Sequence, residues 1–507
     1  MAFRNQDIKE IIQGIDLGSS IAEQDTLLQT SRVDTSVFSD LWNDRIDLIP
    51  GTKGSGKSAL YRIFVEFLPD VLLDNRKVVI AHGVNHHGDK VFHAFNQEFQ
   101  QLSEDDFVNF WCIYIISLAN EQLIKNPLYK ESLKNCSSEI THFKKICFES
   151  HIPEIQKERT LSDILGWTLS SLKKLSPRLK YKPPQDIGEF ELDLFGNLSS
   201  SETNLEKEIP QYSEKIRESL EAILKKANLS VWFMIDRLDE IFPRRSDLER
   251  KALRGLLKTI RIFETDCIRL KVFLRDDILQ QVVYGKEGFT ALTHVTSRKA
   301  DTLRWSQDQI LTMIVKRLFA GEELRIFLDV NKEKLNSSHE YRIECFYKVF
   351  PPQVFVGSNQ SKTLKWIYNH TKDGNNVVTP RDVIDLLTVA KQNQTNKILS
   401  NPSGESNSII DSQSIRYGLE ELSKRKRDTV LDAEFPHLQE HILKFEGQKS
   451  EYTERALARI LGKNWQEIMS DLASIGLFLK ESTNNMTVYK IPFLYRKGLN
   501  VTLGRLN

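Results

Sequence analysis

Cysteine, net charge and long apolar runs are all scarce in this 507-residue chain. The five cysteines are Cys112, Cys136, Cys147, Cys267 and Cys345, and none forms a C-x-x-C pair. That spacing suggests neither a zinc ribbon nor a disulfide framework. Scattered cysteines in a long chain suit a reducing compartment, so a cytoplasmic location is expected. Lys plus Arg number 70 against 69 Asp plus Glu, a formal net charge of +1. No global field therefore draws the chain to nucleic acid or to an anionic membrane. The first residues, MAFRNQDIKEII, lack the apolar core of a signal peptide. The most apolar stretch, FVNFWCIYIISLA at 107–119, is too short to span a bilayer. No membrane partner is expected, and the length allows two to four domains with sizeable cores.

The stretch IDLIPGTKGSGKSALYR, residues 46–62, stands out against these absences. Gly51, Gly56, Lys57 and Ser58 occupy the fixed places of the phosphate-loop pattern G-x-x-x-x-G-K-[ST]. The candidate cradle is Gly51, Thr52, Lys53, Gly54, Ser55, Gly56, Lys57, Ser58 and Ala59. Its glycines let successive N–H groups turn inward towards phosphate oxygens. The following helix offers its N-terminus to the same anion. Lys57 can reach the β- and γ-phosphates, and the Ser58 hydroxyl can ligate Mg²⁺. Ile46, Leu48 and Ile49 read as a buried strand before the loop. Ala59, Leu60, Ile63, Phe64 and Phe67 give the helix after it an apolar face, stopped at Pro69.

A phosphate loop needs an acid for Mg²⁺ and a group that orients water. VWFMIDRLDE, 231–240, supplies five apolar residues and then Asp236 at the C-terminal end of a predicted strand. Asp236 is assigned to the Mg²⁺ shell. Glu240 is assigned to polarise the attacking water, with Asp239 as the competing candidate. Residues 246–264 carry a capping signal, Ser246 with Glu249, before a helical apolar stripe. IRLKVFLRDD, 268–277, is a further strand ending in Arg275, where a charge can sense the γ-phosphate. KVVIAHG (77–83) and KADTLRW (299–305) complete the predicted set. Strands alternating with helices predict an α/β fold, a parallel sheet flanked by helices. His82, His86, His87 and His93 cluster nearby, but their spacing matches no metal-ligand pattern and a polar loop is the better reading.

Residues 1–305 are expected to form the core, with an insertion at about 126–210. Residues 306–398 read as a helical lid. Within it, TPRDVIDLL places Thr379 as a cap, Pro380 at the first helical position and Arg381 in the first turn. An arginine there opposes the helix dipole, and a phosphate is one reason for its presence. Residues 399–429 read as a linker with the basic stretch SKRKRD. Residues 430–507 read as three short helices and two strands, a winged-helix-like module. The outward face of its third helix shows Gln466, Glu467, Ser470 and Asp471, which is poor for DNA, so weak DNA binding at most is expected.

GTKGSGKS, WFMIDRLDE, KVFLRDDI, TLRW and TPRDVIDLL, in that order, resemble bacterial P-loop ATPases related to the STAND and AAA+ groups. The resemblance covers about residues 15–395, including a lead-in at 19–41. It implies an ATPase core with ATP and Mg²⁺, a helical lid, and a nucleotide-driven switch or assembly, hence a homo-oligomer and a partner effector in another chain. It places Arg275 at the sensor-1 position and Arg381 at that of the sensor-2 arginine. Relatives of this sort occur in phage-defence and mobile-element loci. Many STAND proteins have glycine after the first acidic residue of the second motif, where this chain has Arg237. Their long repeat sensors are also absent.

Overall fold

The computed structural model describes residues 3–68, 72–73, 75–83, 102–149, 209–238, 246–283, 289, 296–483 and 486–506. The chain divides into two compact units: Ser36–Thr52 with Leu60–Leu303, and Met1–Thr35 with Lys53–Ala59 and Arg304–Asn507.

The first unit is built on a five-stranded sheet. Its strands are β1 (Leu48–Gly51), β2 (Leu72–Leu73), β3 (Arg76–Gly83), β4 (Leu229–Ile235) and β5 (Ile268–Arg275). Their order is β1-β5-β4-β3-β2, parallel except for the antiparallel edge strand β2. All seven residues of β4 are buried, as an apolar run covered on both faces requires. The register sets Gly51 opposite Arg275, and Ile235 opposite both Val272 and Gly83. The C-terminal ends of these strands therefore share one edge, where ligands of open α/β sheets bind.

Helix α1 (Lys57–Arg62) follows β1 and continues as a wider π turn through Phe67. Helix α2 (Glu104–Ala119), capped by Ser103, packs against α3 (Asp247–Ile262), and Trp111 Nε1 donates to Ala252 O at 2.8 Å. With its π extension α2 runs to Ile124, in line with the apolar helix the sequence suggests over 104–125. It is the one helix among the described residues long and apolar enough to cross a membrane, and 67% of its apolar window is buried inside the protein. Core packing thus accounts for its composition.

Two sequence expectations fail in this unit. Residues 299–305 form no strand. They follow β1 through one bridge, Leu48 with Lys299, and through Leu303 N donating to Pro50 O. The start of the expected insertion is core: helix Ser137–Glu149 packs on Ile209–Ala227, with Phe143 buried. Residues 150–208, most of the rest of the expected insertion, lie outside the described residues.

The second unit is mainly helical from Gln307 to Lys426. Helix α4 (Pro380–Ser400) packs along α5 (Ser412–Lys426). Residues 399–429, read as a linker, thus contain a helix with Ile415, Leu419 and Leu422 buried. The N-terminal segment also belongs here rather than with the sheet. Asp25 is buried against Arg317, which donates to its carboxylate and to Leu17 O. The C-terminal segment runs helix Gln439–Leu443, β6 (Lys449–Thr453), α6 (Glu454–Leu461), α7 (Trp465–Ser474), β7 (Leu479–Thr483) and β8 (Met486–Lys490). Helix Phe493–Arg496 and β9 (Thr502–Leu506) follow, and the sheet order is β9-β6-β8-β7.

Candidate functional site

The candidate cradle leaves β1 at Gly51 and enters α1 at Lys57. Gly54 and Gly56 have φ of +81° and +102°, a left-handed backbone that only glycine adopts without strain. Lys57 and Ser58 open the helix, where first-turn N–H groups have no intrahelical acceptor and can face an anion. Lys57 is largely buried, and Ser55 completely. Ser55 Oγ has no hydrogen-bond partner among the described residues. A buried hydroxyl left over in a glycine-rich turn fits a phosphate acceptor.

Arg381 lies against this loop. Thr379 accepts from Asp382 N at 3.2 Å and Pro380 starts the helix, so Arg381 falls in the first turn of α4. A methyl group built on Gly54 would stand 3.1 Å from Arg381 Cβ and 3.3 Å from Thr379 Oγ1. Arg381 Nε also donates to Ser20 O at 3.3 Å, which ties the N-terminal lead-in to the same place. Trp305 Nε1 donates to Ser55 O at 2.7 Å. Lys53 forms an ion pair with Glu434. Trp305 and the first turn of α4 therefore brace the loop backbone, and Glu434 holds the Lys53 side chain. Nothing in the sequence marks Glu434 or Ser20 for this role. Trp305 belongs to the quoted TLRW motif, but its bond to the loop has no local signature.

On the sheet, Asp236 is buried directly after β4. Arg237 follows with φ +59°, a left-handed backbone that favours glycine. Tyr61 of α1 is buried, its hydroxyl 3.5 Å from Gly83 O. Burial first, and the nearby Asp236 charge second, push its phenol far above the usual range, so it stays protonated. Arg275 ends β5 and donates to both Asp277 oxygens, at 3.0 and 2.9 Å. Burial alone would raise the Asp277 carboxyl; the Arg275 guanidinium outweighs it and holds it below its usual value. Asp239 and Glu240 lie outside the described residues.

No family model matches the chain, and no curated protein matches it. A solved structure is similar: the Walker-type ATPase of Pyrococcus abyssi, 12% identical, aligned over 96% of this chain and 99% of that one, with a TM-score of 0.37. So distant a likeness leaves the roles of these residues to their own geometry.

No group of three or more His, Cys, Asp or Glu side chains among the described residues is arranged to hold a metal by itself. The backbone of His82 is held by Gln122, which accepts from its N–H at 2.8 Å and donates to its carbonyl at 2.6 Å. Burial pushes its ring below the usual histidine pKa. His86, His87 and His93 lie outside the described residues.

Proposed function

We propose that the chain is an Mg²⁺-dependent ATPase that works as a molecular switch, assembling with copies of itself and controlling an effector in another chain, in the manner of anti-phage systems. The observation that carries this reading is the phosphate loop packed against Arg381, with Gly54, at φ +81°, in tight contact with that side chain. Loop N–H groups and Lys57 bind the triphosphate. Ser58 and Asp236 are the residues that would hold Mg²⁺, which when bound neutralises phosphate charge. Glu240 or Asp239 polarises the attacking water. Arg381 responds to the γ-phosphate, so ATP and ADP favour different lid populations. The cytoplasm is the compartment this nucleotide chemistry and the unpaired cysteines fit.

The order helix, strand, helix, helix, strand, strand after Gln439 favours a second reading, a DNA-acting ATPase with a winged-helix-like end. Charge weighs against it. Lys424 pairs with Glu420 and Glu421, Arg425 with Asp385, Lys426 with Asp382, and Arg427 with Glu446. The basic stretch is thus largely neutralised within the protein, and Gln466, Glu467, Ser470 and Asp471 are exposed on α7. Phosphate release by the purified chain, with and without DNA, tests the two. The switch reading expects Mg²⁺-dependent turnover that DNA leaves unchanged, slowed at least roughly tenfold in Glu240→Gln. A rate that rises severalfold with DNA would favour the second reading.

A further inference from the structure

We propose that Glu434 is a positioning residue for the phosphate loop: its carboxylate holds Lys53 as an internal anion and competes with nucleotide phosphate for that ammonium. The proposal rests on the reading of the loop as a nucleotide site.

Lys53 lies inside the cradle, between Thr52 and Gly54. Its side chain is 42% exposed, whereas that of Glu434 is 4% exposed. An incoming anion can therefore reach the lysine while the carboxylate stays inside the protein. Glu434 lies a few residues after the basic stretch, 381 residues along the chain from Lys53. It belongs to an acidic pocket. Asp373, Asp382 and Glu434 all act on the buried Tyr495 phenol, which burial and these charges push well above its usual range. Lys426 meets Asp382 there at 2.8 Å. Cations in such a pocket are strongly held, because buried like charges repel.

The loop does not need the Lys53–Glu434 pair for its shape. β1, α1, the Trp305 bond to Ser55 O and the packing of Gly54 on Arg381 fix its backbone. Neutralising Glu434 should thus free Lys53 for phosphate without unfolding the cradle. A strut would behave oppositely, since losing it would loosen the loop and weaken binding. Linkage is reciprocal, so nucleotide on Lys53 must also weaken the hold on the Glu434 segment.

The test is calorimetry of Mg·ATP and Mg·ADP on the full chain, comparing wild type, Glu434→Gln, Lys53→Met, the double variant and Lys57→Ala. Glu434→Gln should bind both nucleotides roughly fivefold tighter or more, and Lys53→Met should cancel that gain in the double variant. Unchanged or weaker binding by a folded Glu434→Gln, with binding still lost in Lys57→Ala, overturns this proposal alone. No nucleotide binding by the wild type overturns the loop reading and this proposal together. Should Glu434→Gln fail to fold, hydrogen exchange on the wild type decides: amides at 430–438 should exchange faster with Mg·ATP, and unchanged or slower exchange overturns the proposal.

Discussion

Lys271 is completely buried on β5, and its ammonium meets Asp44, Asp47 at 2.7 Å and Ile46 O at 2.8 Å, over the Trp232 ring. Arg269 and Arg298 complete the cluster around the same two acids. Removing one partner of a buried ionic group costs about 3–5 kcal/mol. Lys271→Met is therefore expected to lower the guanidinium midpoint by that equivalent at unchanged slope, and a loss below about 1 kcal/mol would contradict the cluster's role. Arg237 gives the opposite sign. At φ +59° a non-glycine residue carries strain of about 1–2 kcal/mol, so Arg237→Gly should leave stability equal or raise it by up to about 1 kcal/mol, read from the same denaturation. At this scale the sequence revealed what is local. Lys57 and Ser58 open a helix after a glycine turn, and Arg381 follows a Thr-Pro cap, both readable from neighbours. Glu434 and Trp305 reach the loop only through the fold, so no spacing announces them.

The helix Ser412–Lys426 shows what a strong local signal can hide. Its stripe Ile415, Leu419 and Leu422 has helical spacing, and Asp411 caps it, accepting from Ser414 N at 2.7 Å. Proline, glycine and serine just before it and the basic run at its end make the whole stretch read as linker. A methyl group on Gly418 would lie 2.4 Å from Leu386 O of α4. Gly418→Ala should thus cost about 1–3 kcal/mol, measured by thermal unfolding; a neutral result would mean the helices do not pack this closely. The segment leading into α4 carries opposing pH effects. Burial lowers the His370 pKa to about 4 and raises that of Asp373 to about 6. The His370 contribution to stability is full above its unfolded pKa near 6.5 and is lost as pH falls towards 4. The Asp373 contribution runs the other way: it is full below about 3.8 and is lost as pH rises through 6. His370→Phe, keeping a ring between Trp366 and Phe493, should therefore raise the melting temperature more at pH 5 than at pH 8. Asp373→Asn should make the wild-type fall on acidification steeper. Parallel shifts at both pH values would contradict the assignment. The long apolar strands β4 and β5 were legible because burial on both faces leaves continuous apolar runs. The edge strand β2 is two residues long and left no such trace.

At the scale of the whole molecule, the sequence could not show that β5 lies between β1 and β4, since strand order depends on pairing that chain order does not encode. Nor could it show that residues 53–59 group with the helical unit rather than with the sheet that leads into them. That grouping puts the cradle residues Lys53–Ala59 in one unit with Arg381, Trp305 and Glu434. The account stands or falls on the loop being a triphosphate site, and calorimetry of Mg·ATP with wild type and Lys57→Ala measures that most directly. Wild type should bind with a single-site isotherm. Lys57→Ala, folded by circular dichroism, should lose tight binding, because the γ-phosphate loses a charged partner in a partly desolvated site. Wild-type affinity in the folded Lys57→Ala chain would contradict the account.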